Sequence, residues 1–195
     1  MSSPRVVGID EVGLGSLAGP LVVCAFSAPH PSWGLPGLTD SKKMSRSLRE
    51  SLASILAKEF SDFYVLIEAS SSDIDRVGIG KVLPMAMERA LDRILEKTGV
   101  PDRVIIDGED KGIFGAEYYP KADLNFPAVS AASIIAKVHR DRLMVEYAGQ
   151  YPGYGFEQHM GYPTKQHRDA VESLGQCPIH RRSYRLSKRV EQPQG

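Results

Sequence analysis

Apolar residues along this chain come in two rhythms. Short unbroken runs rich in β-branched side chains, Val6 to Ile9, Leu21 to Phe26, Phe63 to Ile67 and Val104 to Ile106, predict buried strands. Elsewhere the apolar positions recur every three or four residues, the spacing of one helix face. Leu48, Leu52, Ile55 and Leu56 follow Ser47 and Glu50, which stand at capping-box spacing, so a helix is expected to begin there. Val82, Ala86, Met87, Ala90, Leu91, Ile94 and Leu95 predict a second helix from about Gly80 to Lys97, closed by Gly99 and Pro101. Pro127 to Met144 predicts a third, dense in small residues that allow close packing, and Thr164 caps a short fourth that Gly175 ends. Pro29 to Gly37 reads as a loop, the serines near residue 70 as a turn, and residues 109 to 125 as irregular. Strands alternating with helices predict an α/β fold.

Composition narrows this picture only a little. The 195 residues fit one compact domain, and 42% hydrophobic with 25% charged residues is ordinary for a globular protein. Formal net charge is zero, so bulk attraction alone would not hold a polyanion. The charge is uneven, however. Residues 59 to 75 carry Glu59, Asp62, Glu68, Asp73 and Asp75 with no Lys or Arg, whereas residues 159 to 189 carry seven basic against two acidic side chains, a net of +5. A basic face and an acidic back are expected. Cys24 and Cys177 stand in no metal-ligand spacing and read as reduced thiols of a cytoplasmic protein. The apolar stretch from Val12 to Ala28 follows two carboxylates and is broken by glycines and a proline, so neither a leader peptide nor a membrane span is expected.

The candidate chemistry lies where strands end. The first strand delivers Asp10 and Glu11 to a turn built on Gly13, Gly15 and Gly19. Neighbouring residues on a strand point to opposite faces, so both carboxylates meet one ion only if the strand stops and the backbone turns. The fourth apolar run repeats the pattern, ending on Asp107-Gly108. Ligand sites of α/β sheets gather at such strand ends. In the last third, Tyr151, Tyr154, Phe156, Tyr162 and Tyr184 alternate with basic residues, a composition suited to nucleic acid because rings pack on sugars or bases while cations meet phosphates.

These elements together resemble ribonuclease HII. Gly8-Ile9-Asp10-Glu11-Val12-Gly13-Leu14-Gly15-Ser16-Leu17-Ala18-Gly19-Pro20 is similar to that family's opening GxDExGRGxLAGP, Asp40-Ser41-Lys42-Lys43 to its DSKK element, residues 130 to 137 to its SAASIIAK helix, and residues 159 to 167 and 180 to 184 to its HxGYxTxxH and HRRSY patterns. The resemblance spans about residues 5 to 186. It implies a ribonuclease-H-like mixed central sheet flanked by helices over residues 1–150, with a small helical substrate-binding extension of the same domain over residues 151–195. It implies an endoribonuclease that cuts the phosphodiester 5′ of ribonucleotides embedded in duplex DNA, and the RNA strand of RNA–DNA hybrids, by two-metal-ion catalysis. Asp123 matches the family's K-[GA]-D element and becomes the fourth active-site carboxylate beside Asp10, Glu11 and Asp107. Asp141 is its rival, ranked lower because with Arg140 and Arg142 it looks like an exposed charge cluster on a helix face. Four carboxylates with no Cys/His set favour Mg²⁺ or Mn²⁺ over zinc. Substrate contacts are implied for Gly13, Leu14, Gly15, Ser41, Lys42, Tyr162 and Arg181, with the Tyr162 ring stacking on the sugar after the ribonucleotide. A monomer is expected, and residues 190 to 195 show no evident clamp-binding peptide.

One position departs from the family: the arginine between its two glycines is Leu14 here. That change motivates the alternative of a hybrid-binding protein with weak or lost junction selectivity. A junction resolvase, which also sets carboxylates at strand ends, is the nearest rival enzyme, but it gives no reason for the GYPT and HRRSY patterns.

Overall fold

The computed structural model describes residues 5–30, 32–38 and 44–185. The predicted DSKK element, including Ser41 and Lys42, lies outside the described residues. Five strands form one mixed sheet: β1 (Val6–Val12), β2 (Leu21–Ser27), β3 (Tyr64–Ala69), β4 (Arg103–Asp107) and β5 (Ala116–Tyr119), in the order β3-β2-β1-β4-β5. β1 runs antiparallel to β2 and parallel to β4. The first two strands therefore form a hairpin around the glycine turn, and the β4–β5 edge is added in parallel.

Each face of the sheet is covered by helices. On one side Val7, Ile9 and Ile106 pack with α3 (Ile79–Thr98) and with Ile74 of α2 (Ser71–Val77). On the other, Val22, Cys24 and Phe26 pack with α1 (Arg46–Glu59) and α4 (Pro127–Gln150). The small residues of α4 have a specific use here. A Cβ at Gly8 would lie 2.3 Å from the Val129 backbone nitrogen, so helix and central strand touch backbone to backbone and only glycine fits. That contact fixes α4 directly over β1. Beyond α4 the chain folds through α5 (Phe156–His159) and α6 (Lys165–Leu174) around a separate apolar cluster that includes Met144, Tyr154, Phe156 and Val171.

Several local expectations need correction. β1 does not stop at Ile9, because its pairing with β2 continues through Val12↔Val22. Only its β4 side ends there, at Ile9↔Ile106. The first helix is capped by Ser45, whose side chain accepts from the Leu48 backbone, so its cap stands two residues before the expected one. The serine turn near residue 70 is the start of a helix, closed by a reciprocal Ser70–Asp73 capping box in which Asp takes the place of the usual Glu or Gln. The segment read as irregular holds β5, a short edge strand tied to β4 by the bidentate Arg103–Glu117 pair at 2.7 and 2.8 Å. The acidic run does not form a back remote from the basic one. Asp75 on α2 accepts from the backbone N–H groups of Arg182 and Ser183 at 2.9 Å each. Cys24 and Cys177 are free thiols, both buried. Among the described residues no helix is long and apolar enough to cross a membrane.

Candidate active site

The carboxylates are delivered by the middle of the sheet. Asp10 sits on β1 one residue past the last β4 pair, Ile9↔Ile106, just as Asp107 is one residue past it on β4. It is 8% exposed and points toward α4, where the Ser133 side chain hydrogen-bonds to it. Glu11, the next residue and partly exposed, donates its backbone N–H to Asp10 Oδ1 at 2.8 Å. Asp107 closes β4, and its Oδ1 accepts the Ala122 N–H at 2.6 Å. That bond draws in the 3-10 turn Ala122–Leu124, whose Asp123 is also only 8% exposed. Lys121, just before, takes a left-handed conformation with φ 59°, which turns the chain into this position.

The electrostatics of the cluster are unfavourable. Burial above all, then the charges of Glu11 and Asp107, push the Asp10 carboxyl up to about 8, against the opposing hydrogen bonds from Ser133 and the Glu11 backbone. Anions crowded in this way are ordinarily balanced by a cation. Among the described residues no three His, Cys, Asp or Glu side chains form a ready-made metal cage. The carboxylates thus share a region rather than a finished coordination sphere. The donor set itself, oxygen only and anionic, fits a hard divalent ion such as Mg²⁺.

Asp141 does not belong to this group, nor is it the exposed charge cluster expected. It pairs with Lys137 at 2.8 Å and with Arg49 of α1 at 3.7 Å, at 18% exposure. Its neighbour Arg140 departs further from expectation, because it is fully buried. Its guanidinium donates to the carbonyls of Pro20, Met160 and Ala18 at 2.9, 2.9 and 3.0 Å, a fork spanning the end of the glycine turn and the loop before Tyr162. Burial pulls it down to about 10.

The glycine turn is gripped from behind. Gly13 has φ 91°, and a Cβ there would collide with Arg140 and with the Pro20 carbonyl. Arg181, expected at the substrate surface, is instead fully buried. It donates to the carbonyls of Gly19 and Leu14 at 3.1 and 3.0 Å and to the Tyr184 hydroxyl at 3.2 Å. Tyr184 itself donates to the Leu14 carbonyl at 2.8 Å. Arg181 and Tyr184 of the HRRSY segment therefore clamp the turn, while Arg182 and Ser183 are exposed. With both lone pairs of the Leu14 carbonyl engaged, the turn offers N–H groups: those of Leu14 and Gly15 make no hydrogen bond among the described residues. The Leu14 side chain projects outward, 40% exposed, and Gly15 has open space around it.

Tyr162 stands beside this turn, half-buried, with the Arg140 guanidinium 5.4 Å and the Lys137 ammonium 6.0 Å from its ring centre. The Leu17 N–H donates to the Gly161 carbonyl at 2.8 Å, tying the tyrosine loop to the turn. Beneath it lie three buried histidines, His159, His167 and His180. Their residues were legible as parts of motifs, but nothing in their spacing told that the three rings meet. Carboxylate cluster, glycine turn and tyrosine thus line one side of the molecule, held by α4 and the C-terminal residues.

Known proteins share this chain's sequence pattern and fold. The family model described as Ribonuclease HII matches residues 7–187. The Ribonuclease HII of Ruegeria pomeroyi is 42% identical over 189 residues, covering 95% of this chain and 78% of the relative. That of Chlorobaculum parvum is 38% identical over 190 residues, covering 94% and 91%. Among solved structures, the PCNA:RNase HII complex from Archaeoglobus fulgidus superposes with a TM-score of 0.72 at 25% identity, covering 96% of this chain and 98% of that one.

Proposed function

This chain belongs to the ribonuclease HII family and is a ribonuclease H acting on RNA–DNA hybrids; on that premise we propose that it also cuts duplex DNA 5′ of an embedded ribonucleotide. Asp10, Glu11, Asp107 and Asp123 are the residues assigned to hold Mg²⁺ or Mn²⁺. The observation that carries this assignment is the buried Asp10 carboxylate beside Glu11, with Asp107 ending the neighbouring strand and Asp123 buried in the turn it holds. A pair of divalent ions about 3.5–4 Å apart would supply an activated water and neutralise charge on the leaving oxygen.

The chain's own groups do the rest. Ser133 and the Glu11 N–H orient Asp10. The Ala122 N–H fixes one oxygen of Asp107 and leaves the other to bind. Recognition of the ribonucleotide falls to its 2′-hydroxyl, the group that marks RNA within a duplex. The N–H groups of Leu14 and Gly15 suit its oxygen, whatever side chain stands between the glycines. The Tyr162 ring would stack on the adjoining sugar, carried by the proposed substrate-binding extension that begins at residue 151. Cleavage would leave 3′-hydroxyl and 5′-phosphate ends.

The test is a duplex bearing one ribonucleotide beside an all-DNA duplex and a continuous hybrid, each with Mg²⁺ and then Mn²⁺. Cutting 5′ of the single ribonucleotide supports the proposal. Cleavage of the hybrid alone would leave the chain a ribonuclease H without junction activity and favour the reading in which Leu14 has weakened selectivity.

A further inference from the structure

The histidines beneath Tyr162 form two hydrogen-bonded chains whose protons are fixed by the groups at each end. His167 Nδ1 lies 3.0 Å from the Tyr162 carbonyl, which only accepts, so Nδ1 carries the proton and Nε2 is left as an acceptor. His180 Nε2, 3.1 Å away, must then donate to it. That leaves His180 Nδ1 to accept the Cys177 N–H at 3.0 Å. In the second chain the Gly161 N–H donates to His159 Nδ1 at 3.2 Å, and His159 Nε2 donates to the Tyr154 carbonyl at 2.8 Å. The His159 and His167 rings stack with centroids 4.4 Å apart. Each ring is therefore held in one neutral tautomer. An added proton on His167 would face the His180 N–H, whereas one on His180 Nδ1 would trade the Cys177 N–H for the Cys177 carbonyl 3.3 Å away.

Both chains act on the backbone of residues 159 to 164. That backbone is already unusual, with Met160 at φ 50° and Gly161 at φ 78° in succession. Two left-handed residues in a row, one of them not glycine, persist only where the surroundings impose them. Arg140 holds the Met160 carbonyl, Leu17 the Gly161 carbonyl, and the Thr164 N–H and His167 the Tyr162 carbonyl. A Cβ at Gly161 would lie 2.4 Å from the Ala18 carbonyl, so the loop has no slack toward the glycine turn. The other titratable or charged groups facing the rings are the Cys177 thiol, 3.1 Å from His180 Nδ1, the Tyr154 ring, 5.2 Å from that of His180, Arg140 across the tyrosine loop and Arg181 next to His180. None of these is an anion at neutral pH.

We propose that His159, His167 and His180 are positioning residues that hold Tyr162 against the glycine turn, and that the hold needs the His167–His180 pair neutral, so that acid loosens recognition of an isolated ribonucleotide. The proposal rests on the stacking role given to Tyr162 above and adds what fixes that ring. Burial pulls His167 down to about 4 and His180 downward, which places the step on the acid side of the ordinary histidine range.

Side-chain ¹⁵N–¹H NMR of the whole chain near neutral pH tests the wiring directly. The expected tautomers are Nδ1–H for His167 and Nε2–H for His180 and His159. A different tautomer, or a charged ring at neutral pH, overturns the proposal. Steady-state kinetics with Mg²⁺ on the single-ribonucleotide duplex and the continuous hybrid, followed from neutral pH downward, test the consequence. In the unmodified chain KM for the single-ribonucleotide duplex should rise about ten-fold more than KM for the hybrid, the equivalent of about one lost hydrogen bond. His167→Asn keeps an N–H toward the Tyr162 carbonyl and cannot titrate. It should retain neutral-pH KM to within about three-fold, the weaker side of one hydrogen bond, and lose most of the excess acid rise. His167→Phe, lacking the donor, should show raised KM at every pH. An excess rise undiminished in His167→Asn sinks the proposal. Equal losses on both substrates in Tyr162→Ala would overturn the stacking role and with it the selectivity half of the proposal, whereas a wrong tautomer would overturn the positioning alone.

Discussion

Two regions meeting at the glycine turn bury polar groups in opposite ways. At the sheet's carboxylate end, Asp10 is enclosed beside Glu11 and Asp107, all of one sign, and burial raises it to about 8. In the C-terminal region Arg140, Arg181, His159, His167 and His180 are enclosed at least as deeply. There nearly every N–H among the described residues meets a carbonyl or ring nitrogen; Arg181 Nη2 and Arg168 Nε are exceptions, finding no partner. A buried polar group that is satisfied rigidifies what surrounds it, while one left in mutual repulsion waits for a partner from outside. On the proposed reading, the first region would hold a cation and the second would be the frame that aims the turn and the tyrosine.

The sharpest way to break that contrast is to neutralise one carboxylate. Asp10→Asn and Asp107→Asn should each lower cleavage about a thousand-fold or more, the several kcal/mol expected when an ion-holding group is lost, with duplex binding largely kept. Above pH 8, Asp10→Asn should also raise the metal-free melting temperature, because there it removes a repelled buried charge. Near-normal turnover in Mg²⁺ by either variant would place the chemistry elsewhere.

Proton titration should push the two regions in opposite directions. Asp10 has its folded-state pKa raised, from 3.8 to about 8, so its contribution to stability is complete below 3.8 and is lost as pH rises through 8. His167 has its folded-state pKa lowered, from 6.5 to about 4, so its contribution is complete above 6.5 and is lost as pH falls through 4. Without divalent ions, stability should therefore rise as pH drops from about 8 to 6.5. Below that, the histidine term opposes the gain by up to about 3 kcal/mol. Urea titrations at stepped pH measure the sum. In Asp10→Asn the rise between 8 and 6.5 should vanish, and in His167→Asn the opposition below 6.5 should shrink.

Leu14→Arg probes the seam between the regions. Restoring a cation at the exposed Leu14 position should add a charge-assisted phosphate contact, about 1.5–3 kcal/mol, and raise single-ribonucleotide cleavage by roughly ten-fold or more at low salt. The gain should shrink as salt rises. Equal rates would mean that the turn's backbone already supplies all the discrimination this enzyme has.

How much of this was legible in the sequence follows the same division. The carboxylates announced themselves because apolar strands ending on Asp10-Glu11 and Asp107 are local patterns, and the glycine frame matched a family motif. The strand order, the parallel β4 edge and β5 were not legible, since pairing is a long-range matter and β5, Ala116–Tyr119, is only four residues long. Arg140 and Arg181 misled for a physical reason. An arginine beside other charges is usually solvated, and its burial here depends on carbonyls from Leu14 to Pro20 that approach only once the hairpin has folded. The three histidines met through the packing of α5, α6 and the segment after Cys177, which no spacing encodes.

The gentlest test concerns Tyr162 alone. The ring is half-buried against Arg140 and Lys137, so it has both a packing and a substrate-facing side. Removing it by Tyr162→Ala should cost a stacking contact of about 1–3 kcal/mol. On a duplex with one ribonucleotide that loss falls on the only productive register, and kcat/KM should drop about ten-fold. On a continuous hybrid the enzyme can engage many registers through the 2′-hydroxyl and the carboxylates, so the drop should be smaller. Tyr162→Phe keeps the ring and should restore most of the difference. If alanine lowers both substrates alike and also lowers the melting temperature, the ring belongs with the histidines and arginines as part of the frame, and the line between the two regions moves to the glycine turn itself.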